Sequence, residues 1–305
     1  MRLLVGYLAT PSGEDGLDLG IRLARTVGAQ LDIVIVLPPD RVLPGMVPIG
    51  GYEEILSEQA DVWLARAAAR VPEGITTTTH VCFNESFAQG LISEAQRLEA
   101  ELIVVGAAGD GLVGRHTIGS VTGELLHSSP VPLALAPRGL RDSTVEQVRE
   151  VTLAIGTGPG DGLALDTSVL ASRAAGTSLR LVSLVALDPI FDSMRGGDDS
   201  IRDRAHTHAK LMLDAAKAVL PEEFPVTSTI TDGATIEDAV NKLEWQDGDM
   251  IVVGSSRLAP PRRLFLGSTA AKMLRVLEVP MIVIPRPDID SDTAEPDAQE
   301  GGSQP

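Results

Sequence analysis

A glycine-rich segment follows an apolar run in the first half of the chain. It reads Gly106, two residues, Gly109, nine residues and then Gly119-Ser120, after which an apolar helical pattern begins. Glycines directly after a buried strand permit positive φ and let a ligand approach the backbone without a Cβ in the way. The first amides of a helix are unpaired, and the helix dipole favours a bound anion. This spacing predicts a cradle for phosphate groups.

The second half of the chain repeats this segment without a gap. Residues 102–138 align with residues 250–286 at a constant offset of 148 (250 − 102). Matching positions include Gly106 with Gly254, Gly119 with Gly267 and Ser120 with Ser268. The same offset superposes the apolar runs that begin each half. A repeat of this length predicts two copies of one domain.

Alternating strand and helix patterns position both glycine segments. The strands of the first copy are predicted at Leu3–Leu8, Leu31–Leu37, Ile75–Phe83, Glu101–Val105 and Pro132–Ala136. Helices are predicted after the first strand, where Ser12 and Asp15 form a capping box, at about 52–71, at about 87–98 and after Gly119. This alternation predicts an α/β fold in which each copy is a doubly wound, five-stranded parallel sheet of Rossmann-like order 3-2-1-4-5.

The repeat also divides the chain. We predict a first domain at 1–138, a charged linker at 139–148, a second domain at 149–287 and a disordered acidic tail at 288–305. The closing strands, Leu133–Ala136 and Ile282–Ile284, would be apolar edges, and such edges are normally covered or paired. We therefore expect them to pair as an internal pseudo-dimer. A homodimer of the whole chain stays open.

Charge and cysteine content exclude several classes of partner. The formal net charge is −17, whereas nucleic acids and acidic membranes attract clustered Lys and Arg. No apolar run approaches the roughly 20 residues that a membrane span needs. Cys82 is the single cysteine of the chain, which fits a reducing compartment and predicts a buried, inert thiol. We expect a cytoplasmic protein.

At the glycine segment the sequence resembles the universal stress protein family, whose ATP-binding members carry G-x2-G-x9-G-[ST] after the fourth strand. The resemblance runs from Leu3 to Arg286 in two passes and includes the closing V-P-x-x-x-x-P-R pattern of each copy. It implies a nucleotide-binding regulatory protein, a switch in the stress response that holds ATP or a related adenine nucleotide, with Mg²⁺ as its companion ion. An unknown protein partner would receive the signal.

The resemblance also implies the residues of the site. In the first copy they would be Val36 at the adenine and, around the phosphates and ribose, Val105, Gly106, Gly109, Gly119, Ser120, Val121 and Thr122. The second copy has an altered site, with Gly254, Arg257, Gly267 and Ser268. Because Arg257 replaces the glycine that matches Gly109, we expect the first copy to be the ATP site.

One departure from the family pattern favours a different function. Family members that bind ATP typically have an acidic residue at the end of the first strand, where Leu8 and Gly156 stand in the two copies. The alternative is therefore a scaffold that binds no nucleotide and serves protein–protein contact.

The chemistry of the remaining residues does not point to an enzyme. No catalytic triad, carboxylate pair or metal-ligand cluster stands out, so we predict neither catalysis nor a metal site, and only a weak ATPase activity stays open. His116 lies beside Arg115 in the first loop. It is a candidate phosphate donor, against the more common case of a solvated pair.

Overall fold

The computed structural model describes residues 1–39, 52–107, 116, 118–156, 161–186, 199–256 and 263–286. Gly109, Arg115, Arg257 and the predicted tail at 288–305 lie outside the described residues.

The first copy alternates strands and helices as its sequence pattern predicts. Its elements are β1 Arg2–Gly6, α1 Pro11–Val27, β2 Gln30–Leu37, α2 Tyr52–Arg70, β3 Thr77–Phe83, α3 Phe87–Arg97, β4 Leu102–Gly106, α4 Ser120–Ser128 and β5 Leu133–Ala136. Each predicted strand is present, with its ends shifted by at most a few residues.

A short 3₁₀ turn, Leu140–Asp142, leads to the second copy. Its elements are β6 Glu150–Ala154, α5 Asp161–Ala175, β7 Leu179–Ala186, α6 Asp199–Ala218, β8 Val226–Gly233, α7 Ile236–Asn241, β9 Asp249–Gly254, α8 Ser268–Val276 and β10 Met281–Ile284. The order of strands and helices matches that of the first copy.

All ten strands form one sheet, in the order β3-β2-β1-β4-β5-β10-β9-β6-β7-β8. Each copy has the predicted order 3-2-1-4-5, with parallel pairing inside the copy. At the centre, β5 and β10 pair antiparallel, with Ala134 opposite Ile282. The expected pairing of the closing strands is confirmed. Each strand supplies an apolar edge that the other copy covers.

The core lies in two aliphatic layers, one on each face of the sheet. Side chains of α1, α2, α5 and α6 pack on one face, and side chains of α3, α4, α7 and α8 pack on the other. Strand residues alternate between the layers: Leu3 and Val5 join the first, whereas Leu4 joins the second. Both faces of the inner strands are therefore buried, which is why these strands read as nearly continuous apolar runs, whereas the edge strands β3 and β8 are more polar and exposed.

Helix α1 begins differently from the prediction. Thr10 caps the helix, because its Oγ1 accepts a hydrogen bond from the amide of Gly13 at 3.2 Å, and Pro11 takes the first helical position. Proline suits that position, since its missing amide would be unpaired there anyway. The capping box of Ser12 and Asp15 is wrong. Asp15 instead points into the protein, and its side chain is 1% exposed.

The segment predicted as a linker, 139–148, packs on both copies, and it contacts the second copy through the hydrogen bond that Ser143 Oγ donates to Asp247. The carboxylate of Asp15 accepts hydrogen bonds from the amides of Gly139 and Arg141, each at 3.0 Å. At the other end the amide of Val148 donates to Thr26 Oγ1 at 2.9 Å. Leu140 and Val148 are buried in the first core layer. Both ends of the linker are therefore bound to helix α1.

Candidate functional site

A cavity of about 760 Å³ opens at the carboxyl ends of the strands of the second copy. Strands β6 and β9 are neighbours there, and their connections leave the sheet in opposite directions. Such a switch point is where open α/β sheets leave room for a ligand. The volume lies in the range of small-molecule pockets.

The cavity wall coincides with the positions that the family resemblance singles out. At the offset of 148 residues, the eight predicted positions of the first copy correspond to eight positions of the second copy. Seven of these eight line the cavity, namely Leu184, Val253, Gly254, Gly267, Ser268, Thr269 and Ala270. The eighth, Arg257, lies outside the described residues.

The N-terminus of α8 forms one side of this cavity. Gly267 is the N-cap residue, with φ −67° and ψ 160°, and no side chain caps the helix. The first amides of α8 are therefore available to a ligand, and the helix dipole favours an anion at this end. A Cβ at Gly267 would lie 3.3 Å from Cβ of Ser256, so the glycine keeps this corner of the cavity open.

The described lining of the cavity combines apolar side chains with polar ones, none of which is acidic. Hydroxyl groups come from Ser183, Ser255, Ser256, Ser268 and Thr269, and one imidazole comes from His208 on α6. No Asp or Glu is among these lining residues. Aliphatic and Met side chains complete the wall. Neutral donors beside a helix N-terminus suit a ligand with an apolar or aromatic part and a phosphate.

In the first copy, the predicted residues lie at the equivalent edge. Val36 is buried near the end of β2, where helix α3 approaches so closely that a Cβ at Gly90 would lie 2.6 Å from its Cγ1. Val105 and Gly106 end β4, and Gly119 is the N-cap of α4, again without a side-chain cap. In the first turn of α4, Ser120 is exposed, Val121 is half-buried and Thr122 is buried.

Gly106 has a structural role that the sequence did not reveal. A Cβ on Gly106 would lie 1.8 Å from the carbonyl oxygen of Ser12, so the backbone at the start of α1 fills that space. Gly16 makes a similarly close approach, since its Cβ would lie 2.8 Å from the amide nitrogen of Gly106. Part of the glycine signature therefore lets helix α1 pack on the end of β4.

His116 is neither a phosphate donor nor a solvated side chain. It is 9% exposed, and its Nε2 donates to the carbonyl oxygen of Val279 in the second copy at 2.8 Å. Burial lowers its pKa to about 4, because a charged imidazolium would lose its hydration. Both expectations for His116 are wrong, and this side chain joins the first loop to the opposite copy.

Other polar groups offer less chemistry. Cys82 is half-buried, and burial raises its pKa to about 11, which leaves a neutral, weakly nucleophilic thiol. Over the described ranges, no three His, Cys, Asp or Glu side chains come together as metal ligands. In the same residues, no helix combines the length and apolarity of a membrane span.

Comparison with known proteins places the chain in a family. The model of the Universal stress protein family matches residues 1–137 and 148–285. Universal stress protein Rv2319c of Mycobacterium tuberculosis (strain ATCC 25618 / H37Rv) is 29% identical over 294 residues, covering 93% of this chain and 100% of that protein. Universal stress protein Mb2346c of Mycobacterium bovis gives the same values.

The fold comparison agrees with the sequence comparison. The crystal structure of a universal stress protein from Archaeoglobus fulgidus DSM 4304 superposes with a TM-score of 0.68 at 20% identity. The superposition covers 93% of this chain and 98% of that one. The two family matches, the repeated fold and the glycine loops have one explanation: the chain belongs to the universal stress protein family.

Proposed function

We propose that this protein is a nucleotide-binding regulatory member of its family, which holds an adenine nucleotide and changes its contacts with a protein partner accordingly. The observation that carries this proposal is the cavity of about 760 Å³, whose wall contains seven of the eight positions matching the predicted nucleotide residues. Its uncapped helix N-terminus and hydroxyl groups suit a phosphate.

We propose that ATP binds the first copy more tightly than the second. The first copy has the complete set Gly106, Gly109, Gly119 and Ser120, whereas Arg257 interrupts the set in the second copy. Backbone amides of the loop and of α4 would hold the phosphates, and Val36 would contact the adenine. Mg²⁺ would enter with the nucleotide and offset the phosphate charge.

A scaffold without nucleotide is the second candidate. Leu8 extends beyond β1 with 39% of its surface exposed, and Gly156 offers no side chain at the equivalent place. Neither copy therefore supplies a carboxylate at the end of its first strand. A chain that had lost nucleotide binding would retain the fold as a platform for partners.

Nucleotide content decides between the two candidates. Purified protein is denatured by heat, and the released nucleotides are identified by mass spectrometry, while calorimetry measures ATP binding to the unliganded protein. Nucleotide released from the purified protein, or a calorimetric heat of binding that reaches saturation as ATP is added, supports the switch. An empty protein that shows no heat at millimolar ATP overturns it and supports the scaffold.

We also propose that the protein is not an enzyme and acts in the cytoplasm. The described residues of the cavity offer hydroxyls and one exposed imidazole, without the acid or base partner that would activate a nucleophile. Phosphate release from ATP, measured under multiple-turnover conditions, tests the first point. Sustained turnover that Gly109→Arg, at the proposed ATP site of the first copy, abolishes would contradict it.

A further inference from the structure

The second copy extends a short segment onto the first. Residues 263–266, here named the crossover segment, precede the N-cap of α8. The amide of Leu264 donates to the carbonyl oxygen of Ser129 at 2.9 Å, and the amide of Leu266 donates to that of Leu126 at 3.2 Å. Leu264 is 0% exposed. The segment is thus bound to the C-terminal end of α4 in the first copy.

Between Leu264 and Leu266, the backbone of Phe265 bonds instead to the second copy, at the cavity wall. The amide of Phe265 donates to Ser255 Oγ at 2.8 Å, and its carbonyl oxygen accepts from the amide of Ser256 at 2.9 Å. Ser255 and Ser256 both line the cavity. A ligand that contacts these serines would therefore act directly on Phe265.

The ring of Phe265 adds a side-chain contact to the first copy. It packs edge to face with the imidazole of His127, at 5.1 Å between ring centroids and an interplanar angle of 89°. Backbone groups of successive residues thus bond to alternate copies, as in an extended chain, and the Phe265 ring adds a contact to the first copy. The segment cannot shift without changing contacts in both copies.

Helix α4 continues this path to the first glycine loop. Its C-terminal turn holds the crossover segment, and its N-terminus, at Gly119 and Ser120, belongs to the predicted phosphate site. The helix has nine residues, which corresponds to a rod of about 13 Å. A short, packed helix moves as a unit, so a displacement at one end reaches the other.

We propose that the crossover segment couples the two ligand sites, so that occupation of the cavity in the second copy raises the nucleotide affinity of the first. A ligand bound to Ser255 and Ser256 would hold Phe265 in place, and with it α4. The N-terminus of α4 would then be positioned for the phosphates of a nucleotide in the first copy. The site that binds its ligand second then loses less conformational entropy on binding, because α4 is already ordered. Coupling of this kind is reciprocal between the sites. The inference rests on the proposed function for its ligands, although the mechanical link can be tested without them.

The first experiment needs no ligand. Ser255→Ala removes the hydroxyl that accepts a hydrogen bond from the amide of Phe265. The control, Ser183→Ala, removes a hydroxyl of the same cavity from a residue that is remote from the crossover segment in sequence. Hydrogen exchange of the full chain, resolved by NMR, reports on individual amides. In Ser255→Ala we expect about fivefold faster exchange at Leu264 and Leu266 and at Ser129, whose amide caps α4. Ser183→Ala should leave these amides unchanged.

The second experiment uses ATP as the probe in a double-mutant cycle. Ala205→Trp fills the cavity from α6, and Phe265→Ala removes the ring that contacts His127. In a chain that carries Arg257→Gly, so that the cavity can take ATP, coupling predicts that Ala205→Trp weakens ATP binding at the first copy about fivefold and that this effect disappears when Phe265→Ala is added. Leu211→Trp, at an exposed position of α6, controls for the added indole.

The outcomes separate the two proposals. Absence of ATP binding in every variant overturns the proposed nucleotide function, whereas the exchange experiment still decides on the link. Unchanged exchange at Ser129 in Ser255→Ala overturns the coupling. Additive effects in the ATP cycle also overturn it, even when the protein binds ATP.

Discussion

The imidazole of His116 in the first copy donates its Nε2–H to the carbonyl oxygen of Val279 in the second copy, at 2.8 Å. At the equivalent position the second copy has Leu264, whose backbone amide donates to the carbonyl oxygen of Ser129 in the first copy. Each glycine loop therefore reaches across the central strand pair β5–β10. The loops that are predicted to hold phosphates are also the loops that join the two copies.

The first prediction concerns stability in acid. The pKa of His116 is lowered to about 4 from its ordinary 6.5, so below pH 6.5 the unfolded chain binds a proton that the folded chain refuses. The folded protein therefore loses stability as the pH falls from 6.5 to 4, by roughly 3 kcal/mol at the lower limit. Above pH 6.5 the imidazole is neutral in both states and has no effect.

His116→Leu isolates this effect from the titration of the carboxylates. Leucine is the natural residue at the matching position, and it cannot be protonated. Urea unfolding of both proteins at several pH values gives the difference in the free energy of unfolding. Between pH 6.5 and 4, the free energy of unfolding should fall less steeply in the variant than in the wild type. Parallel curves would show that protonation of His116 does not destabilise the folded protein.

The second prediction concerns Asp15. Its buried carboxylate accepts hydrogen bonds from the amides of Gly139 and Arg141 and forms an ion pair with the guanidinium of Arg141 at 3.1 Å. Asp15→Ala should lower the free energy of unfolding by about 3 kcal/mol, because buried amides and a partly buried cation lose their partner. Lys242→Ala, whose exposed ammonium pairs with Asp232, should cost less than about 1 kcal/mol. Equal losses in urea denaturation would contradict the role given to Asp15.

The third prediction tests the first glycine loop. Gly109→Arg should weaken ATP binding about tenfold or more, because the side chain would fill space that the phosphates need. Calorimetry on the full chain measures the affinity. Leu170→Arg places the same charge on an exposed position of α5 and should bind ATP as the wild type does. Wild-type affinity in Gly109→Arg would place the nucleotide elsewhere.

The fourth prediction tests the second copy. In a chain whose first site is closed by Gly109→Arg, Arg257→Gly should restore ATP binding, because it returns to the second copy the glycine that the first copy has at this position. The same titration detects the gain. Tight ATP binding by the second copy while Arg257 is still present would refute the assignment of this residue as the obstacle. An Arg257→Lys variant should bind no better than its parent.

The sequence alone determined the architecture, because the architecture depends on patterns that repeat along the chain. The offset of 148 residues revealed two copies, the apolar runs gave the strands, and the apolar closing strands required a partner at each edge. These features rest on local periodicity and on the general cost of exposed apolar edges. The glycine spacing, in the same way, marked which strand ends form the edge where the cavity lies.

Only the tertiary structure decided what individual polar residues do. Asp15 binds the segment beyond β5, and His116 binds a carbonyl oxygen 163 residues away. Phe265 connects a cavity to a helix of the other copy. Spacing in the sequence carries no record of such contacts, because the donor and acceptor are brought together by the packing of whole elements. Residue type fixes what a group can donate or accept, and the fold fixes which partner it meets.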